Sequence, residues 1–210
     1  MEPVVLVNFK TYERGTGALA VELAKTCAEL GAWVAVQAAD IREVSKACNT
    51  KVLAQHIDDV SYGAHTGSIM PEAVKEAGAA GTLINHSEKR LSLEEVEKRV
   101  ARCKELGLMS VVCAANVEEA LDYLAFEPDY IAVELPELIG GDISIVSADP
   151  DIVKDAVSRL GHNVLMGAGV NSGEDLRKSL EYGAAGVILA SAIVKKAADP
   201  RKALEALIRR

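Results

Sequence analysis

Apolar residues fall along this chain in short unbroken runs, separated by longer stretches in which they recur at every third or fourth position. The runs occupy residues 4–7, 33–36, 52–54, 81–84, 110–113, 130–133, 163–165 and 185–189. Each is rich in Val, Ile and Leu and close to continuously apolar. A strand covered on one face alternates between apolar and polar positions. A strand buried on both faces, in a parallel sheet flanked by helices, does not alternate. The eight runs are therefore read as doubly covered parallel strands.

The stretches between them carry helix patterns with recognisable ends. Ser92-Leu93-Glu94-Glu95 has the form of a capping box, and Gly107 closes the helix that it opens. The apolar stripe predicted for that helix is Leu93, Val96, Val100, Cys103 and Leu106. Leu19, Leu23, Cys27 and Leu30 form a similar stripe before Gly31. Asp149-Pro150 places a capping residue ahead of a proline at a first helical position, and Ser172 precedes a helix carrying Leu176 and Leu180.

Eight strand–helix units share 210 residues, about 26 residues each. That is compact for a closed (β/α)8 barrel, which needs about 200 residues or more. An open doubly wound sheet usually has fewer strands. The pattern predicts an α/β fold, a (β/α)8 TIM barrel, with residues 1–210 forming one domain. No linker, repeat or low-complexity segment interrupts it.

Composition narrows the function. Half the residues are apolar but only 4% are aromatic, so the core is built from Val, Ile, Leu and Ala. A net charge of −8 with no basic face argues against nucleic acid as a partner. It also means that an anionic substrate needs a locally positive site. Cys27, Cys48, Cys103 and Cys113 make no C-x-x-C pair and no zinc pattern, and read as small core hydrophobes in a reducing compartment. The start Met1-Glu2-Pro3 lacks the cationic opening of a signal peptide, and no apolar run approaches the length of a membrane helix. A cytoplasmic protein with no membrane partner is expected.

In a (β/α)8 barrel the chemistry lies at the C-terminal ends of the strands. Four polar features fall there. Asn8-Phe9-Lys10 follows the first run, where a lysine can hold an anion. Asn85-His86-Ser87-Glu88 follows the fourth, with His86 at the strand end ahead of residues that can open a short helix. Partial positive charge at a helix start favours a neutral imidazole, able to donate a hydrogen bond to a carbonyl. Glu134 ends the sixth run, where an apolar surround suits a general base. After it, Leu135 to Gly141 has a proline near the start, an apolar middle and Gly140-Gly141 at the end, the composition of a closing lid. Gly167-Ala168-Gly169 and Ala190-Ser191-Ala192 follow the last two runs. Small residues there let backbone N–H groups approach a phosphate. A base, a neutral electrophile, a lysine and a phosphate cradle suit proton abstraction beside a carbonyl on a phosphorylated substrate. Two alternatives remain open on these residues: another phosphate-binding barrel enzyme, and a barrel that binds without catalysis.

These segments, taken in order, resemble the triosephosphate isomerase family. The resemblance rests on Asn8-Phe9-Lys10, Asn85-His86-Ser87-Glu88, Glu134 with Ile139-Gly140-Gly141, and Gly63-Ala64-His65-Thr66-Gly67, which is similar to the loop that crosses to a neighbouring subunit. The forms Asn-His-Ser-Glu and Gly-Ala-Gly resemble the archaeal branch, whose members are often tetramers. The resemblance implies interconversion of dihydroxyacetone phosphate and D-glyceraldehyde 3-phosphate, a glycolytic and gluconeogenic step, without cofactor or metal. It implies Glu134 as the base, His86 as the electrophile, Lys10 and Asn8 as partners of substrate charge and Glu88 as a supporting acid. Ile139, Gly167, Gly169, Ala190 and Ser191 are implied as phosphate contacts. A homo-oligomer is implied, a tetramer before a dimer. Two positions depart from the family pattern: Leu135 stands where a proline usually follows the base, and Ala192 where a glycine is common.

Overall fold

The computed structural model describes residues 2–138, 141, 144–161 and 163–209. Ile139, Gly140 and His162 lie outside them. The chain runs β1 (Val4–Asn8), α1 (Gly17–Glu29), β2 (Trp33–Val36), α2 (Ile41–Ala47), β3 (Val52–Ala54), α3 (Pro71–Glu76), β4 (Gly81–Ile84), α4 (Leu93–Leu106) and β5 (Met109–Ala114). It continues with α5 (Val117–Leu124), β6 (Tyr130–Val133), α6 (Ile145–Ala148), α7 (Pro150–Leu160), β7 (Val164–Met166), α8 (Gly173–Glu181), β8 (Gly186–Leu189), α9 (Ser191–Val194) and α10 (Pro200–Ile208). The strands close in sequence order into one barrel in which every neighbouring pair is parallel, β8 returning to β1.

The unbroken apolar runs are explained by this closure. On β1, Val4 and Leu6 point into the barrel, where Leu53, Leu83, Leu165 and Ile188 fill the bore. Val5 and Val7 point outward and pack beneath the helices. Both faces are dry, so both parities must be apolar. Each buried Leu or Ile contributes about 2 kcal/mol of hydrophobic stabilisation. Closure also needs close backbone approach. A Cβ built on Gly186 falls 1.8 Å from the Val4 carbonyl oxygen, so the β8–β1 seam admits no side chain there.

The strand positions expected from the pattern match, with small shifts. The seventh lies one residue later than residues 163–165, and the fifth extends by one residue at each end. The helix stripes needed more correction. Leu19 and Leu93 are about half exposed, not core. The buried side of α1 is Ala20, Leu23, Ala24 and Cys27, and that of α4 includes Arg99. Leu19 and Leu93 both belong to the first turn of their helices. In α1 two alanines, small enough to lie flat on the sheet, take the inner face. Arg99 is buried because its guanidinium is satisfied: Nε donates to the Ile57 carbonyl at 2.8 Å and Nη1 to the Glu95 carbonyl at 3.0 Å.

The capping box at Ser92 and Glu95 forms, as does the Asp149 cap on α7. Cys27, Cys103 and Cys113 are buried and Cys48 is half-buried, all as free thiols. Burial pushes the Cys27 and Cys103 thiols up to about 12.

Candidate active site

The backbone itself aims the lysine. Asn8 is the last residue of β1, buried, and its Oδ1 accepts the Lys10 N–H at 3.0 Å. Gln55 Nε2 donates to the Lys10 carbonyl at 2.9 Å. Between these two anchors Lys10 takes a left-handed φ of 49°. That conformation is unfavourable for a lysine and persists only where its surroundings over-determine it. The result directs the side chain to the barrel mouth, where Nζ lies 3.0 Å from Glu88 Oε1.

His86 follows Asn85, another left-handed residue, with φ of 62°. Asn85 is buried, donating to the Cys113 carbonyl at 3.0 Å and to Tyr123 Oη at 2.7 Å, and accepting the Leu91 N–H at 2.8 Å. The short helix expected after His86 is instead one turn, closed by Lys89 N–H on the His86 carbonyl at 2.7 Å. The side chain of Asn85 seizes Leu91 and ends the turn before a helix can propagate. Glu88 N–H donates to His86 Nδ1 at 3.2 Å, so Nδ1 is the acceptor and the proton of a neutral ring sits on Nε2.

Nε2 faces Glu134, whose Oε2 lies 3.7 Å away. Glu134 continues the β6 ladder, its N–H donating to the Ala114 carbonyl at 2.9 Å, and is 7% exposed. Oε2 is buried and accepts no hydrogen bond among the described residues. The Cys113 thiol, pushed well up by burial, lies beside the same carboxylate, which raises it further.

Asn8, Lys10, His86 and Glu134 line one cleft, together with Ala168, Gly169, Ala190 and Ser191. Ala168 and Gly169 both have left-handed φ, 66° and 68°, in the turn after β7. Ser191 opens α9, a short helix whose Ile193 and Val194 N–H groups both donate to the Ala190 carbonyl, at 3.2 Å and 2.9 Å, so that Ala190 and Ser191 stand at its N-terminal end. Amides and small residues of this kind suit an anion. Glu88 borders the neighbouring cleft, reaching the site through Lys10.

Gly167 has a different place from the phosphate contact expected of it. It is not among the residues lining the cleft but lies behind the carboxylate. A Cβ there falls 2.3 Å from Glu134 Cγ, 2.9 Å from Glu134 Oε1 and 2.9 Å from Ile188 Cγ2. Ile139, the expected lid contact, is outside the described residues. Sequence reasoning missed Tyr12, Val170, Ile188 and Leu189 as lining residues. Ile188 was legible in principle from the inward parity of β8. Tyr12 carries no such signal.

Fold and site together define a (β/α)8-barrel protein with an acid–base cluster and an amide-lined turn at one mouth. The chain belongs to the triosephosphate isomerase family, whose model matches residues 3–209. It is 48% identical to the triosephosphate isomerase of Methanosarcina acetivorans over 99% of this chain and 98% of that one. It is 45% identical to that of Methanothermus fervidus over 98% and 97%. Among solved structures it is similar to the triosephosphate isomerase from Bartonella henselae, with TM-score 0.74, 22% identity, and 98% and 99% of the two chains covered. At that identity the structural likeness speaks for the fold alone.

Proposed function

We propose that the protein interconverts dihydroxyacetone phosphate and D-glyceraldehyde 3-phosphate through an enediolate. The observation that carries this reading is the convergence, in one cleft beside an amide-lined turn, of a buried carboxylate oxygen without a hydrogen-bond partner among the described residues, an imidazole whose Nε2 faces it, and an ammonium group.

Glu134 removes the proton from the carbon beside the carbonyl and returns it to the neighbouring carbon. The electron pair of the broken C–H bond moves into the new C=C bond, and negative charge appears on the former carbonyl oxygen. His86 Nε2–H donates to that oxygen, gives it the proton and takes the hydroxyl proton from the neighbouring oxygen, so that the carbonyl re-forms on the other carbon, while the Lys10 ammonium faces the charge. Fixed donors in a closed low-dielectric site are worth several kcal/mol to such charge, far more than in water. Asn8 holds the Lys10 backbone, and Glu88 pairs with its ammonium. The N–H groups at Gly169, Ala190 and Ser191 receive the phosphate. The segment from Leu135 to Gly141, with Ile139 within it, acts as the lid that excludes water. No cofactor is required.

The same reading makes the protein a cytoplasmic homo-oligomer, a tetramer before a dimer, working in glycolysis and gluconeogenesis. No helix among the described residues is long and apolar enough to cross a membrane. Residues 61–68 are exposed throughout, with Tyr62 at 79%. Beside the active site lies a cleft of about 390 Å³ bordered by Thr11, Gln37, Gln55 and His56, suited to the same loop of a second copy.

A coupled assay tests the reaction. Turnover of D-glyceraldehyde 3-phosphate, with little on a pentose or bulkier sugar phosphate, is the expected result. Preference for the bulkier substrate would point to another barrel enzyme. Binding of 2-phosphoglycolate without any turnover would point to a non-catalytic barrel.

A further inference from the structure

The turn that carries His86 is tied to the next strand–helix unit by a line of hydrogen bonds that takes no part in the reaction described above. It starts at Asn85, between β4 and His86. Asn85 is buried and has both amide hydrogens engaged, one by the Cys113 carbonyl at 3.0 Å and one by Tyr123 Oη at 2.7 Å. Its Oδ1 accepts the Leu91 N–H at 2.8 Å, so the amide has one orientation. Tyr123, buried on α5, continues the line: its hydroxyl donates to Glu119 Oε1 at 2.6 Å. Glu119 pairs through the same oxygen with the Arg90 guanidinium, while its Oε2 accepts the Ala115 N–H at 2.6 Å.

The line begins and ends in one turn. Asn85 stands at its start, Arg90 and Leu91 at its end, and His86 between them. Tyr123 bridges the two ends from α5, and none of Asn85, Arg90, Glu119 and Tyr123 lines the cleft. Burial pushes the Tyr123 hydroxyl up, so it keeps its proton and remains a donor to Glu119. At the left-handed φ of 62° a glycine would carry no steric cost, so the backbone alone does not account for an asparagine there. The three bonds of its side chain do. A buried polar line with every member satisfied holds a single arrangement. Here it holds the turn in which Glu88 N–H meets His86 Nδ1 at 3.2 Å, the contact that leaves the ring proton on the nitrogen facing Glu134.

We propose that Tyr123 is a positioning residue for His86: through Asn85 and Glu119 it holds the turn after β4 in the one shape that aims the imidazole proton at the substrate oxygen. The proposal rests on the isomerase reading above. Without the hydroxyl, Asn85 Nδ2 and Glu119 Oε1 each lose a partner. The turn then samples other shapes, the Glu88 N–H leaves Nδ1, and the ring exchanges between tautomers. The transition state, where charge grows on the oxygen, feels that loss in full. A ground-state ligand with a phosphate but no carbonyl does not.

The test uses the full chain and compares the wild type with Tyr123→Phe, Asn85→Gly and Asp149→Ala. Wild-type turnover of dihydroxyacetone phosphate is measured first. Its absence counts against the isomerase reading and leaves the ring signals to decide the proposal. Three quantities follow: kcat, affinity for glycerol 3-phosphate, and the nitrogen NMR shifts of the His86 ring, assigned by their loss in His86→Gln. Tyr123→Phe and Asn85→Gly are expected to lower kcat about tenfold, the scale of one lost hydrogen bond with a buried partner left over. Glycerol 3-phosphate affinity is expected to stay within about twofold. The separation between the two ring-nitrogen shifts, wide for a fixed tautomer, is expected to narrow. Asp149→Ala, which removes the cap of α7, is expected to lower the melting temperature with kcat and ring shifts unchanged. If Tyr123→Phe does not fold, Asn85→Gly decides alone. Wild-type kcat or wild-type ring shifts in a folded variant overturn the proposal, because Tyr123 then only secures α5. A loss of glycerol 3-phosphate affinity as large as the loss of kcat overturns it too, because the whole mouth has then loosened.

Discussion

Glu134 sits in a pocket whose shape is set by the residue behind it. Shortening the side chain leaves the chemistry possible but moves the carboxylate back by roughly 1 Å, and proton transfer is sensitive to that distance. Glu134→Asp is expected to lower kcat by at least about 10²-fold, as steady-state kinetics would read directly. Gly167→Ala acts on the same group from the other side. Its added Cβ meets Glu134 Cγ at 2.3 Å, a distance no real contact allows, so the carboxylate must leave its position. A fall in kcat of about tenfold or more is expected, with 2-phosphoglycolate affinity changed much less; unchanged kcat would mean that Glu134 has no need of its present rotamer. Asn8, His86 and Glu134 stood out in the sequence because a polar residue ending an apolar strand has few structural reasons to be there. Gly167 looked like part of a glycine-rich phosphate turn. Only coordinates reveal which side chain lies over its Cα.

At the scale of elements, strands were more legible than helices. A doubly buried strand needs apolar residues at every position, and that pattern survives a shift of one residue. Helix faces depend on register, and alanines such as Ala20 and Ala24 are read poorly because their burial owes more to size than to hydrophobicity. The four-residue helices α6 and α9 carry too few positions for any periodicity. Caps are clearer, since they rest on one named hydrogen bond. Ser92→Ala is expected to cost about 1 kcal/mol in chemical denaturation, with kcat unchanged. The loop after β3 carries a pH signature. Burial lowers the affinity of His56 for a proton, opposed by its 3.0 Å contact with Asp58, while Lys89 and Arg99 add to the lowering. In the fold the ring therefore stays neutral below 6.5, where the unfolded chain already takes up the proton. Its contribution to stability is complete above that value and declines as pH falls below it. Urea midpoints measured between about pH 7 and 5 should fall, and fall less in His56→Gln. Equal slopes in the two proteins would remove His56 from this account.

For the whole molecule, eight apolar runs in a short chain allowed a closed barrel but did not force one. The sheet closes because β8 can approach β1 where Gly186 meets Val4. That closure brings residues 8, 10, 86, 134, 169 and 191 to one mouth from five different strand ends. The separate motifs were readable in the chain, whereas their distances and the ties behind them, such as Asn85 to Tyr123, depend on long-range packing that no local pattern encodes.

The claim that joins these scales is that Glu134 moves a carbon-bound proton in exchange with the site. Isomerisation of D-glyceraldehyde 3-phosphate in D2O, followed by proton NMR, tests it most directly. The account predicts solvent deuterium at the carbon beside the carbonyl of the product with the wild-type chain, and its loss in Glu134→Ala. Product free of deuterium, or undiminished exchange in Glu134→Ala, would contradict it.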